Sequence, residues 1–309
     1  MRPALFEKVA LSFNRHGFSV SSFNEFNSCF DLAARKQNEF FLVKVLENAD
    51  GFREENCQEL QKIAGFFGAT PLLIAEKTKS AELVLGVVYE RYSVPVLSGA
   101  TLDQMLSNQS VYQKSFRGTV TVELDSRLLK QKRKQTGFSL EELANQIGAS
   151  SQTIHRYEQG RPADLDLAHK LETILQTPLI RQVTISGLQK RNPALFDESF
   201  SNPVLEKIHD LGLNMIDLHH SPFRAIGKPR EPVLINLANQ KKDATQKAII
   251  LEKTRNIFHG HGVVISKETV SSTIHHTPVI AEEELESYTK IRQLLEEIKN
   301  REDQPKKKK

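Results

Sequence analysis

The 309-residue sequence predicts a mixed fold, α/β plus all-α, in which a central helical bundle is flanked by two similar small α/β domains. Two observations predict it. Residues about 5–106 and about 203–288 carry the same succession of elements. Their paired apolar runs are spaced almost identically, 31 residues from Val43 to Ile74 and 30 from Ile235 to Ile265. Between these copies, residues 127–180 lose the β-rich runs and take up short amphipathic helices with polar and glycine punctuation. The expected division is an α/β domain over 1–110, a linker over 111–126, a helical domain over 127–185, a second α/β domain over 195–298 and a disordered basic tail over 299–309.

Each copy opens with a helical stretch ending at a glycine, Gly17 or Gly212, and continues into a short alternating segment, 18–23 or 213–218. These read as a helix and then an edge or hairpin strand. The apolar runs 40–46 and 232–237 are short and rich in β-branched residues, which favours buried strands over helices. A helix follows in each copy, about 53–67 with Leu60, Ile63, Ala64 and Phe67 on one face, and about 244–258. Second runs at 71–75 and 262–266 complete a strand, crossover helix and strand, which implies a parallel pair. Short strands around Pro95 and Pro278 then lead into helices rich in Leu and acidic residues.

Composition narrows the function. Hydrophobic residues at 39% and charged residues at 26% are ordinary for a globular chain, and no run of 18 apolar residues offers a membrane span. The first residues mix charged and apolar side chains and do not resemble a secretory signal. Cys29 and Cys57 form neither a CxxC nor a zinc pattern, so a reducing cytoplasm is expected, with no disulfide and no metal. The net charge of +4 equals the charge of the last four lysines, so the body is near neutral and any nucleic-acid binding must rest on a local element.

That element is the middle segment. A first helix over about 126–136 stops at Gly137. Ser139-Leu-Glu-Glu142 is a capping box that starts a second helix, 140–147, with Leu143, Ala144 and Ile147 on one face and Gly148 at its end. Ser150 caps a third helix, 151–159, which buries only Ile154 and Tyr157 and turns Ser151, Gln152, Thr153, His155 and Arg156 outward. Two helices joined by a short glycine turn, the second with a narrow apolar stripe and a hydrogen-bonding face, match the helix-turn-helix.

The start Ser139-Leu-Glu-Glu-Leu-Ala144, the turn Gly148, the apolar Ile154 and the terminal Glu158-Gln-Gly160 resemble the Cro/C1-type module of phage repressors and xenobiotic-response-element regulators. The whole arrangement is similar to the HTH-type transcriptional regulators of archaea. That resemblance implies sequence-specific binding of double-stranded DNA by a homodimer, with Ser151, Gln152 and Arg156 at the bases and Thr153 and His155 beside them. Gln suits adenine and Arg suits guanine as bidentate partners. Ser139 and the N–H groups at the start of the second helix are expected near a phosphate. Leu140 stands where many members of the family have Gln, which weakens that grip. Arg133 and Glu158 match an ion pair that ties the first helix to the third. Lys130-Gln-Lys-Arg-Lys134 offers phosphate contacts, although residues 121–180 balance eight basic against eight acidic side chains.

The first copy also resembles the restriction-endonuclease-like core, with Asp31 and Lys44 in suitable strands. The acid needed two residues before the lysine is replaced by Leu42, Glu39 lies on the wrong side of the strand start, and the second copy has Arg224 and Asn236 at the matching positions. One carboxylate rarely holds a catalytic metal ion, so no enzyme activity, catalytic residue or cofactor is expected. No P-loop, GxGxxG, GxSxG or HExxH occurs, and His219-His220 and His275-His276 lack Cys or spaced carboxylate partners. The sequence thus points to a cytoplasmic DNA-binding regulator, with the transcription machinery as a further partner. The alternatives are a targeted nuclease or nuclease relic, and a bridging coactivator that uses the helix-turn-helix for protein docking.

Overall fold

The computed structural model describes residues 2–26, 28–109, 111–116, 119–188, 196–197, 199–228, 231–268 and 270–302. The chain begins with α1 (Arg2–Arg15), β1 (Ser19–Ser22), β2 (Leu32–Lys36), β3 (Glu39–Val45), α2 (Glu54–Phe67), β4 (Thr70–Ile74), β5 (Val87–Arg91), β6 (Val94–Leu97) and α3 (Gly99–Leu106). The middle follows as β7 (Gln113–Phe116), β8 (Thr119–Val122), α4 (Ser126–Gln135), α5 (Leu140–Ile147), α6 (Ser151–Glu158) and α7 (Leu165–Leu175). It ends with α8 (Pro203–Asp210), β9 (Met215–Asp217), β10 (Ala225–Gly227), β11 (Val233–Ala238), α9 (Lys241–Phe258), β12 (His261–Ser266), β13 (Thr273–Ile274), β14 (Thr277–Ala281), α10 (Glu282–Leu285) and α11 (Ile291–Glu302).

The repeat is visible in how the strands pair. In the first copy β1, β2 and β3 form an antiparallel meander, and in the second β9, β10 and β11 do the same. After the helix, β4 runs parallel to β6 as β12 runs parallel to β14. Just after β3, the Leu46 N–H donates to the Ile74 carbonyl at 2.9 Å, and in the second copy β11 runs parallel to β12. Asp31 N–H to Val43 O and Arg224 N–H to Ile235 O, both 2.8 Å, are the same bond in the two copies. In both copies an antiparallel meander is followed by a helix and then by a parallel pair of strands.

Two compact units divide the chain, and they do not follow the repeat. The first comprises residues 1–16, 45–52 and 72–190, and the second residues 17–44, 53–71 and 191–309. In the first unit α1 lies on α3, with Ser12 Oγ donating to Asp103 Oδ1 at 2.5 Å, and strands run in the order β4, β6, β5, β7, β8. The second unit holds the first-copy meander and α2 together with the six-stranded sheet ordered β13, β14, β12, β11, β10, β9. The expectation of two separate α/β domains is therefore corrected: parts of the first copy belong to a common unit with the second. The reason is an aromatic cluster within the second unit. Phe258, 1% exposed at the end of α9, packs against Phe23, Phe30, Phe40, Phe67 and Phe223 with centroids 4.6–6.5 Å apart. Burying that much aromatic surface joins the segments into one core.

Two further expectations change. Residues 111–126 are not a linker. They carry the antiparallel pair β7 and β8, and Val122 exchanges hydrogen bonds with Ala163 at 2.9 and 2.8 Å. Val122 and Leu124 are buried in the core of the helical bundle, because β-branched and leucine side chains at alternate positions give β8 and its extension an apolar face. The tail also begins later than expected. Residues 299–302 continue α11, since Arg301 is buried against the Val279 carbonyl, Glu284 and Glu297, while residues 303–309 lie outside the described residues. Among the described residues no helix is long and apolar enough to cross a membrane.

Candidate nucleic-acid interface

The helical bundle of the first unit is built on Leu129, Leu143, Ala144, Ile147, Ile154, Tyr157, Ala168, Leu171 and Leu175, with Val122 and Leu124. Each helix start is fixed by a side chain. Asp125 accepts the Leu128 N–H at 3.0 Å at the head of α4, and Asp164 accepts from Asp166 and Leu167 at the head of α7. At α5 the capping box closes completely: Ser139 Oγ accepts the Glu142 N–H at 3.1 Å, and Glu142 Oε2 accepts the Ser139 N–H at 2.7 Å. The Ser139 backbone N–H holds the Glu142 carboxyl below the usual carboxylate range. Gly148, at φ +75°, turns the chain out of α5, a conformation costly for any residue with a Cβ.

Ser150 caps α6, accepting the Thr153 N–H at 3.2 Å. Because Ile154 and Tyr157 face the core, Ser151, Gln152, His155 and Arg156 come together on the exposed face of α6. Thr153 is half-buried, with its hydroxyl 2.9 Å from Ser150 Oγ, so it belongs to the cap more than to the reading face. The structure brings Arg133 and Glu158 together. Arg133 Nε donates to Glu158 Oε1 at 2.6 Å, Nη2 to Oε2 at 3.1 Å and Nη1 to the Phe138 carbonyl at 2.9 Å. The pair is nearly buried, with side chains 10% and 3% exposed. Arg133 is thereby removed from the basic run, leaving Lys130 and Lys134 exposed on α4. Sequence reasoning overlooked Arg161. It is exposed beyond the end of α6, and a basic residue directly after the stop Gly160 was the available signal.

The nuclease-like residues lie in the second unit, and they are closed. Lys44 Nζ donates to Asp31 Oδ1 at 3.0 Å and to the Ser28 carbonyl at 2.5 Å, with Asp31 and Leu42 at 0% exposure. Lysine charge thus stands against the carboxylate that a cation would need. In the second copy, Asn236 Oδ1 accepts the Arg224 N–H at 2.9 Å and its amide donates to the Pro222 carbonyl. Glu59, on α2 and buried, accepts the N–H groups of His219 and His220 at 2.9 and 2.6 Å, a role not foreseen from sequence. Arg224 Nη1 lies 2.7 Å from His219 Nδ1, and since a guanidinium only donates, that ring nitrogen accepts. His275 and His276 occupy the left-handed turn between β13 and β14, at φ +47° and +58°. Among the described residues no three His, Cys, Asp or Glu side chains gather as a metal site.

Comparison with known proteins fits both parts. A family model described as a PD-(D/E)XK superfamily domain matches residues 2–111, and one described as helix-turn-helix matches residues 129–181. A Pyrococcus horikoshii protein named "Putative HTH-type transcriptional regulatory protein" is 30% identical over 295 residues, covering 93% of this chain and 94% of that one. The chain belongs to this archaeal family of HTH-type transcriptional regulatory proteins. Relatives so named from Thermococcus kodakarensis and Archaeoglobus fulgidus are 30% and 27% identical, over 96% and 97% of this chain and 95% and 99% of theirs. No solved structure matches. Within this HTH-type regulatory chain the helix-turn-helix match starts at Leu129 and ends at Arg181, spanning the bundle core except for Val122 and Leu124. The PD-(D/E)XK match ends at Val111, before β7.

Proposed function

We propose that the chain is a transcriptional regulator that reads double-stranded DNA with α6 and carries a catalytically silent PD-(D/E)XK core. The observation that carries the reading is the face of α6. Ser151, Gln152, His155 and Arg156 are exposed together on a helix whose start and end are held by the Ser150 cap and the Arg133–Glu158 pair. Rigid placement matters because base readout needs donors and acceptors held at fixed height in the major groove. Two chains related by a two-fold axis would present two such helices to half-sites one helical turn apart. Silence of the core follows from its chemistry: Leu42 supplies no oxygen, Lys44 neutralises Asp31, and the Glu59 carboxylate is engaged by two peptide N–H groups.

Nuclease-protection footprinting on duplexes selected from the genome of origin, with Mg²⁺ present, tests this. The expected result is a discrete, two-fold symmetric footprint that disappears with Gln152→Ala plus Arg156→Ala, on DNA that stays intact when no probing nuclease is added. Cleavage by the chain itself would return the core to catalysis. Absence of any sequence-selective footprint would make the helix-turn-helix a protein-docking surface.

A further inference from the structure

We propose that the second unit binds an aliphatic polyamine in the cleft between α2 and the end of β9. The site is independent of the DNA reading above and gives the chain a second, small-molecule ligand.

The cleft has a volume of about 620 Å³, a size suited to a small molecule. Glu55, Gln58, Glu59 and Lys62 recur at helical spacing, so one face of α2 forms a wall of it. Asp197 and Asp217 line it as well, and both are fixed in place. The Asp197 N–H donates to the Met215 carbonyl at 2.9 Å, and Asp197 Oδ2 accepts the Asp217 N–H at 2.8 Å. Glu59, 8% exposed, holds the peptides of His219 and His220 against α2.

Among the described residues four carboxylates and one lysine line this space. Arg224 meets Asp217 Oδ2 at 2.8 Å, and Lys62 Nζ lies 3.5 Å from Asp197 Oδ1. Among the described residues Glu55 enters no ion pair, Glu59 takes peptide N–H groups and no cation, and His219 accepts at Nδ1 from Arg224. The balance is negative, which repels an anion and attracts a cation. A metal ion is poorly served, because no three His, Cys, Asp or Glu side chains gather for one among the described residues. An organic cation is the ligand class that fits.

Lys62 shows its chemistry. An ammonium on an aliphatic stem already stands beside Asp197, in a pair whose side chains are 43% and 29% exposed and therefore weakly held. A ligand amine competes for the same carboxylate. Asp217 offers a second point, since its Oδ1 is enclosed and accepts no hydrogen bond among the described residues. A carboxylate oxygen only accepts, and leaving it without a donor is unfavourable. A ligand N–H reaches it once the His219 ring gives way, a side chain 59% exposed with Nε2 4.0 Å from Asp217 Oδ2. Glu55 is a third point, so the ligand carries two or more ammonium groups along one chain.

The test is calorimetric titration of the full-length chain with spermidine, without DNA, in KCl at physiological ionic strength. Saturable binding of one spermidine per chain is expected. Asp217→Asn should weaken it about tenfold or more, and Glu55→Gln about two- to fivefold. Lys62→Gln should tighten it about two- to fivefold, because the competing ammonium is gone. The exposed positions Glu55 and Lys62 carry the test if Asp217→Asn lowers Tm. No binding by the wild-type chain, affinities unchanged by Glu55→Gln, or weaker binding by Lys62→Gln would overturn the proposal. Displacement of spermidine by an equal concentration of Mg²⁺ would also overturn it, by showing a diffuse acidic surface in place of a site.

Discussion

Arg133 and Glu158 have a cost and a benefit that differ by which partner is removed. A nearly buried carboxylate left without its guanidinium is strongly unfavourable, whereas replacing both by apolar side chains of similar size removes the desolvation cost along with the attraction. Arg133→Ala should therefore destabilise the bundle by about 3–5 kcal/mol, and Arg133→Met with Glu158→Leu should recover most of it, as read by urea unfolding of the full chain. This pair was legible in the sequence because the family resemblance placed both residues. The hydroxyl contact of Thr153 with Ser150 was not legible: helical spacing sets residue 153 beside Tyr157 at the edge of the apolar stripe, but does not say which partner its hydroxyl takes. Glu59 shows the same limit: its place among apolar neighbours on α2 was visible, but the peptides of His219 and His220 that it binds lie 160 and 161 residues away.

At the scale of elements, the C-terminal helix α11 is held by two charged clamps. Arg301 binds Glu284, Glu297 and the Val279 carbonyl, and His261, at the start of β12, sits between Glu302 Oε2 at 2.6 Å and Glu231 Oε2 at 2.8 Å. Only a doubly protonated imidazole donates to both carboxylates. The hydrogen bond to Glu302 raises the His261 pKa above its ordinary value, burial opposes it, and the bond to Glu231 adds to the rise. Because the folded pKa lies above the unfolded one, this stabilisation is complete below the ordinary histidine pKa of about 6.5 and is lost as pH rises through the raised value. His261→Gln should lower Tm by about 1–3 °C at pH 5.5 and have a smaller effect at pH 9, measured by circular dichroism. The strands β3, β4, β11 and β12 were legible because buried parallel strands read as continuous apolar runs. By contrast β10 escaped because three residues are too few for a periodic signal, and the strand at β2 was reached only through the resemblance that set Asp31 in a strand.

For the whole molecule, the aromatic cluster around Phe258 makes the second unit cooperative across segments far apart in the chain. Phe258→Ala should cost about 3–5 kcal/mol and melt the first-copy meander together with the second-copy sheet in one transition, seen by hydrogen exchange at amides of both. Separate transitions for the two would contradict a common core. Correspondingly, the boundary expected at 110 falls inside the first unit, whereas the one expected between 185 and 195 lies where the first unit gives way to the second.

What the sequence determined alone is local: periodic apolar runs, capping boxes, stop glycines and the spacing of the repeat. These patterns depend on the 3.6- and 2-residue periods and on backbone chemistry within a few residues. From them the helix-turn-helix and the duplicated strand, helix and strand were both legible. Tertiary structure decided that Lys44 closes on Asp31, that Arg133 is withdrawn from the basic run, that residues 111–126 are sheet and that segments of both copies share a core. Each of these depends on which surfaces meet, and burial is a property of the assembled chain that no local pattern encodes.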